Sequence, residues 1–327
     1  MDKNLENLKK DLEQGKQIIL FIGAGINYNP TKKLLWSDVM QAFLNNALHL
    51  LNMPEEEINF LKQALNPNST NRELLLRGNS EFSSEMKISV VKQLLNTAYI
   101  PLLQDIIYSQ CSLDELKNEC NIYVERGECN FYSLFSVADM IIRYNNFKAV
   151  VTYNYDNFLS TAIKLLQSNK HYIAESKRCI NKEFTPIDVY NQRTMEPNTD
   201  SSFRIYHVHG YIQPPYELKP IGKNEVVMSL DEFHQNSKDP YSWHETKQIS
   251  YLSEYTCLYI GASLSDMTMQ RVIHHANIQD SNENIYYLTK KGDTLTKLKN
   301  MFHTANHLKV IEIDKYKNFF EDINHKK

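Results

Sequence analysis

The architecture turns on Gln17-Ile18-Ile19-Leu20-Phe21-Ile22-Gly23-Ala24-Gly25-Ile26-Asn27. A short apolar run rich in β-branched and aromatic residues, with no polar alternation, suits a strand buried on both faces. Two glycines directly after it predict a tight turn. Similar runs recur at Lys148–Thr152, Phe203–Val208, Glu225–Leu230, Thr256–Ile260, Asn284–Leu288 and Leu308–Ile313. Four of the seven stop at Gly, Asn, Asp, His or Ser instead of generic turn residues. Open parallel sheets bind ligands at the carboxyl ends of their strands, so polar residues gathered there are what a nucleotide crevice requires. The fold class that follows is α/β, a Rossmann-like parallel sheet flanked by helices.

Working outward, residues 37–146 carry a different rhythm. Val39, Phe43, Leu44, Ala47, Leu48 and Leu51 repeat at helical spacing, as do Val90, Val91, Leu94 and Leu95, and later Leu134, Met140, Ile141 and Ile142. This stretch reads as a helical insertion between the first two strands. It leaves residues 1–36 as the first part of the sheet domain and 147–327 as the remainder. The segment NPNSTN at 66–71 signals a loop, and 168–203, polar and weakly periodic, reads as a long loop. Leu5, Leu8 and Leu12 mark an amphipathic helix at the start. The stretch has no signal-peptide core, and no apolar run reaches the ~20 residues of a membrane span. A cytoplasmic location is expected.

Composition narrows the function classes. Of 327 residues, 42% are hydrophobic and 23% charged, and the net charge is −3 with both signs interspersed. Nothing there resembles the massed Lys and Arg of a nucleic-acid surface. The cysteines, Cys111, Cys120, Cys129, Cys179 and Cys257, form no C-x-x-C pair, which predicts reduced structural thiols and no metal site.

Four short motifs carry the chemistry. Gly23-Ala24-Gly25-Ile26-Asn27 follows a strand. Its glycines would let backbone approach a pyrophosphate, though a plain strand-to-helix turn has the same pattern. Thr152-Tyr153-Asn154-Tyr155-Asp156 ends the second strand and also reads as an Asn/Asp turn with a helix cap. In Tyr206-His207-Val208-His209-Gly210, alternation sets both histidines on one side, the second at the mouth. A lone strand histidine is more often structural. Gly261-Ala262-Ser263-Leu264-Ser265-Asp266 could equally be a turn and a cap.

Taken in order, G-A-G-I-N, T-x-N-x-D, H-G and G-A-S-x-x-D resemble the sirtuin (silent-information-regulator) family of NAD-consuming enzymes, from about Gln17 to Val272. Trp36-Ser37-Asp38, Thr152–Asp156 and Val227-Met228-Ser229-Leu230-Asp231-Glu232-Phe233 are similar to the NAD-hydrolysing branch found in bacterial anti-phage defence. The resemblance implies that Gly23, Ala24, Gly25, Asn27 and Thr152 frame the NAD diphosphate and its neighbourhood. It makes Asn154 the residue that holds the nicotinamide ribose and orients water. Asp156 would brace the loop or the ribose hydroxyls, and His209 would be the general base. Gly261, Ser263 and Asp266 would meet the adenosine half. No metal is implied, because residues 210–225 lack the four-cysteine zinc module of the protein-deacylating members. The proline-aspartate-phenylalanine segment those members carry after the glycines is replaced by Tyr28-Asn29-Pro30-Thr31.

The expectation is therefore an NAD+ glycohydrolase that releases nicotinamide and ADP-ribose and depletes NAD during abortive infection. The alternatives are a sirtuin-type deacylase or ADP-ribosyltransferase, and a non-catalytic NAD or ADP-ribose sensor. Expected partners are NAD+, further copies of the chain, and a sensing protein such as a ring-forming ATPase or a short Argonaute. Direct nucleic-acid binding and membrane association are not expected.

Overall fold

The computed structural model describes residues 2–32, 34–50, 56, 84–179, 186–191, 202–217, 226–229, 231–232, 234, 242–264, 267–278, 284–292 and 294–324. Helix α1 (Lys3–Glu13) starts where the Asp2 carboxylate accepts the Asn4 N–H, 2.8 Å away, satisfying one of the free donors of a helix start. Strand β1 (Ile18–Ile22) follows, then a single 3₁₀ turn, Ala24–Asn27. Helices α2 (Trp36–Leu50), α3 (Ser84–Leu95), α4 (Tyr99–Gln110), α5 (Leu113–Arg126) and α6 (Tyr132–Arg143) separate β1 from β2 (Phe147–Thr152). Next come α7 (Phe158–Ser168), α8 (Lys170–Cys179), β3 (Ile187–Tyr190) and β4 (Phe203–His207). The remainder alternates as α9 (Trp243–Glu254), β5 (Thr256–Ile260), α10 (Met267–Ile278), β6 (Ile285–Lys290), α11 (Thr294–Ala305), β7 (Lys309–Ile313) and α12 (Tyr316–Asn324).

The seven strands form one parallel sheet in the order β3-β4-β2-β1-β5-β6-β7. β1 lies near its centre, and all five of its side chains are buried. Alternation divides them between the two faces. Ile18, Leu20 and Ile22 enter a core shared with the helices between β1 and β2, whereas Ile19 and Phe21 enter a second core under α9 and α10. Burying one such side chain is worth about 1.5–3 kcal/mol, and burial on both faces is why the run shows no polar alternation. The chain leaves β1 toward β2 on one side and returns to β5 on the other. The strand order reverses there, opening a crevice at the carboxyl ends.

Two sequence expectations change. The region 168–203, read as a loop, contains α8 and β3. β3 was hidden because it is a four-residue edge strand, half-buried throughout, with an aspartate in the middle. The strand expected at Glu225–Leu230 does not form among its described residues. Val226, Val227 and Met228 are buried, but they run outside the sheet, tied by Val227 N–H to the His209 carbonyl at 2.8 Å. Burial, not ladder pairing, made that run apolar. The expected loop at 66–71 lies outside the described residues. No helix among the described residues is long and apolar enough to cross a membrane.

Candidate active site

The carboxyl ends of the central strands are knitted together through backbone. Gly23 N–H donates to Ile260 O at 3.0 Å and Gly25 N–H to Gly261 O at 2.8 Å, so the turns after β1 and β5 bond directly. On the other side, Tyr153 N–H donates to Ile22 O (2.9 Å), Val208 N–H to Thr152 O (3.1 Å) and Ile212 N–H to Tyr155 O (2.7 Å). The four motifs therefore form one continuous rim.

The glycines are required by this contact. A Cβ at Gly23 would stand 2.6 Å from Ala262 Cα, one at Gly25 2.8 Å from Gly261 Cα, and one at Gly261 2.6 Å from Ile26 N. Gly261 also has φ +68°, which side chains disfavour. The sequence suggested close approach to a ligand. What these three positions approach in the structure is one another, and the Gly23 and Gly25 N–H groups are already engaged.

Above the rim lies a cavity of about 520 Å³, within the range of small-molecule sites. Gly23, Ala24, Gly25, Asn154, Asp156, His209, Gly261 and Ser263 line it. Of the other expected site residues, Asn27 and Thr152 are buried and stand behind the wall. Asp266 lies outside the described residues. Thr152 Oγ1 accepts the Asn154 N–H at 3.1 Å, and Asn27 Nδ2 donates to Asp156 Oδ2 at 2.8 Å. Asp156 Oδ1 accepts the Phe158 N–H at 3.0 Å, at the start of α7. Asp156 thus clamps the β1 turn to the β2 turn. Burial pushes its carboxyl up to about 6, against the pull of the Phe158 and Asn27 bonds.

The two histidines have separate surroundings. β4 ends at His207, and Gly210 takes φ +92°, so strand alternation does not carry through to His209. The His207 ring packs on Tyr211 at 4.9 Å between centroids. Its Nδ1 lies 2.9 Å from the Asn154 carbonyl. A carbonyl can only accept, so Nδ1 carries the proton. Burial pushes His207 down to about 4, opposed by that bond, and the ring is a neutral prop under Asn154. His209 is buried on the cavity wall, its ring 5.2 Å from Tyr153 and 6.4 Å from Tyr155. Asn154 leans the other way, its Nδ2 3.4 Å from Gly23 O.

Several wall residues were not legible as site residues. Leu34, Leu35, Val39 and Ile107 come from the helices between β1 and β2 and the segment leading into them, with Trp36 and Ser37 of the W-S-D motif. Trp36 packs on Tyr155 at 5.3 Å. Met228 is pinned because the Glu232 carboxylate accepts the N–H groups of Met228 and Ser229, both at 2.8 Å. Glu232 in turn pairs with Lys92 of α3. Tyr316, at the start of α12, completes the wall. No group of three or more His, Cys, Asp or Glu among the described residues could hold a metal ion.

A parallel sheet with a reversed strand order, carrying Asn154, Asp156 and His209 on one cavity wall beside glycine turns, defines an α/β protein with a ligand-sized crevice at its strand ends. The family model of the SIR2-like domain matches residues 148–311, half of the chain, and the chain belongs to that family. The match begins at β2, so the Gly23–Gly25 turn precedes it, although β1 lies between the matched β2 and β5. No curated protein matches the chain. SIR2-like domains use NAD, and this chain is read accordingly as an NAD-utilising protein.

Proposed function

We propose that this chain is an NAD+ glycohydrolase. The observation that carries the reading is that Asn154, Asp156 and His209, delivered by two different strand ends, share one cavity wall above the Gly23–Gly25 and Gly261–Ser263 turns. In that arrangement Ala24 and Ser263 face the diphosphate and adenosine side. Asn154, whose Nδ2 rests on Gly23 O, offers its amide oxygen to the nicotinamide ribose hydroxyls and to water. The C1′–nitrogen bond breaks with its electron pair going to the pyridinium nitrogen, so the leaving group needs no proton. The developing oxocarbenium ion takes the water oxygen at C1′, and His209 accepts the water's proton. Asn154 positions without adding charge, while Asp156 holds the two turns in register.

Water is favoured over an acyl-lysine acceptor because the sequence between His209 and the buried segment at 226–228 lacks the zinc-module cysteines that accompany a peptide clamp. The W-S-D and V-M-S-L-D-E-F motifs support placing the chain in the anti-phage branch, as an effector that depletes NAD. We propose self-assembly or a sensing partner as the trigger, since constant hydrolysis would poison its own cell.

The test mixes purified protein, alone and with candidate partners, with NAD and separates the products by chromatography. Nicotinamide and ADP-ribose should appear with the active wild type and fall at least a hundredfold in His209→Ala and Asn154→Ala, an order typical of losing such groups. Nicotinamide release that depends strictly on added acyl-lysine peptide would overturn hydrolysis.

A further inference from the structure

The cavity wall contains no lysine or arginine among the described residues, and its carboxylate is Asp156. A dinucleotide bound there would meet its nearest help from cations at the margins. One margin is built unusually. Lys290, the last residue of β6, holds its ammonium 5.5 Å from the Tyr28 ring centroid and 5.6 Å from that of Tyr316. Tyr28 caps the 3₁₀ turn after β1 and is 51% exposed. Tyr316 is itself part of the cavity wall. Lys290 makes no ion pair among the described residues. Two aromatic faces hold a cation electrostatically without neutralising it, so the ammonium keeps its donors for an anion.

Strand order says which part of the ligand lies there. Asn154 and His209 follow β2 and β4, on one side of β1, and Gly261–Ser263 follow β5 on the other. β6 is one strand further out. From β4 to β6 is four inter-strand steps, about 19 Å at ~4.8 Å each, a span that suits an extended dinucleotide. With the scissile bond at β2 and β4, the end of β6 falls at the adenosine ribose. Resting on the dinucleotide reading of this cavity, we propose that Lys290, presented by Tyr28 and Tyr316, meets a phosphate on the adenosine 2′-oxygen. The substrate class then includes the 2′-phosphorylated dinucleotide as well as NAD. The Tyr316 ring forms the wall on which the base lies, and the flexible lysine stem lets the ammonium leave the rings for the phosphate.

Calorimetric titration of the full chain with ADP-ribose and with 2′-phospho-ADP-ribose tests this without any turnover. The wild type should bind the phosphorylated compound at least as tightly as the plain one. Lys290→Met should weaken the phosphorylated compound about tenfold, the size of one lost charge-assisted bond, and ADP-ribose by less than about twofold. Lys290→Arg should restore the difference. Equal weakening of both compounds, no change in either, or wild-type binding of ADP-ribose alone would overturn the role of Lys290 and leave the cavity assignment standing. Failure of the wild type to bind either compound would overturn the dinucleotide reading and this inference with it.

Discussion

Replacing Gly25 by alanine should destabilise the protein whether or not it ever meets a nucleotide. The added methyl would stand 2.8 Å from both Gly261 Cα and Gly261 O, which are backbone atoms that no rotamer change can clear. Forcing a carbon into a packed contact of this kind costs about 1–3 kcal/mol. Gly25 has no left-handed φ, so the clash is the whole effect. Gly15 provides the opposite case, with φ +73° and nothing within 4 Å of a Cβ. Gly15→Ala should cost only the conformational part, about 1–2 kcal/mol. Gly261→Ala combines φ +68° with a Cβ 2.6 Å from Ile26 N, and the two terms together reach about 2–5 kcal/mol. Urea unfolding without ligand should therefore rank the variants Gly261→Ala below Gly25→Ala, with midpoint losses of roughly 0.3–1 M for the smaller clash at an m of about 3 kcal/mol/M. If Gly25→Ala unfolds at the wild-type urea concentration, the turns after β1 and β5 do not touch as described, and the glycines would have to be explained by the ligand.

Two acid–base predictions follow, of opposite sign. The half-buried Asp156 carboxyl has its pKa raised by desolvation to about 6, so its contribution to stability is full below its unfolded value and lost as pH rises through about 6. Asp156→Asn should then be more stable than wild type at pH 8, by on the order of 2–3 kcal/mol, and converge with it near pH 4. The Asn27 Oδ1, without a partner among the described residues, can accept from the new amide after a flip. Thermal unfolding at both pH values checks this, and a variant clearly weaker at pH 8 would count against it. His207 is lowered to about 4, so its contribution is present above its unfolded value near 6.5 and lost as pH falls toward 4. His207→Gln, which keeps a donor for the Asn154 carbonyl, should flatten the loss of stability between pH 6.5 and 4 by up to about 3 kcal/mol. Parallel urea profiles for variant and wild type across that range would contradict it.

Much of the sheet was readable because buried parallel strands need no partner-specific code. The runs at β1, β2, β4, β5, β6 and β7 are apolar wherever both faces are covered. β3 escaped because a half-buried edge strand can be as polar as a loop. Val226–Met228 misled for the converse reason, being buried under Tyr155, whose hydroxyl donates to Val227 O at 2.8 Å, without joining a ladder. The strand-end motifs marked the cavity because polar residues and glycines are rare within such runs. Which histidine faces the cavity was not in the alternation, since that rule lapses where β4 ends. Nor could spacing tell that the partner of Gly25 is Gly261, or that Leu34, Ile107 and Tyr316 complete the wall. Those contacts join segments far apart in the chain, and apolar residues there look like any others.

Because β1 lies in the interior of the sheet, the order of synthesis and the order of assembly diverge. Ile18 leaves the ribosome well before its neighbours in the ladder, Phe147 and Thr256. At about 5–20 residues per second, the nascent chain waits on the order of 10–50 s for the second of them. Through that interval Ile18–Ile22 is an uncharged β segment with at least one unpaired edge, of the kind that seeds aggregation. The crevice, which needs the turn after Thr256–Ile260, cannot exist until the end of that wait. An unfinished polypeptide released between His209 and that turn would carry Asn154 and His209 but have nowhere to use them.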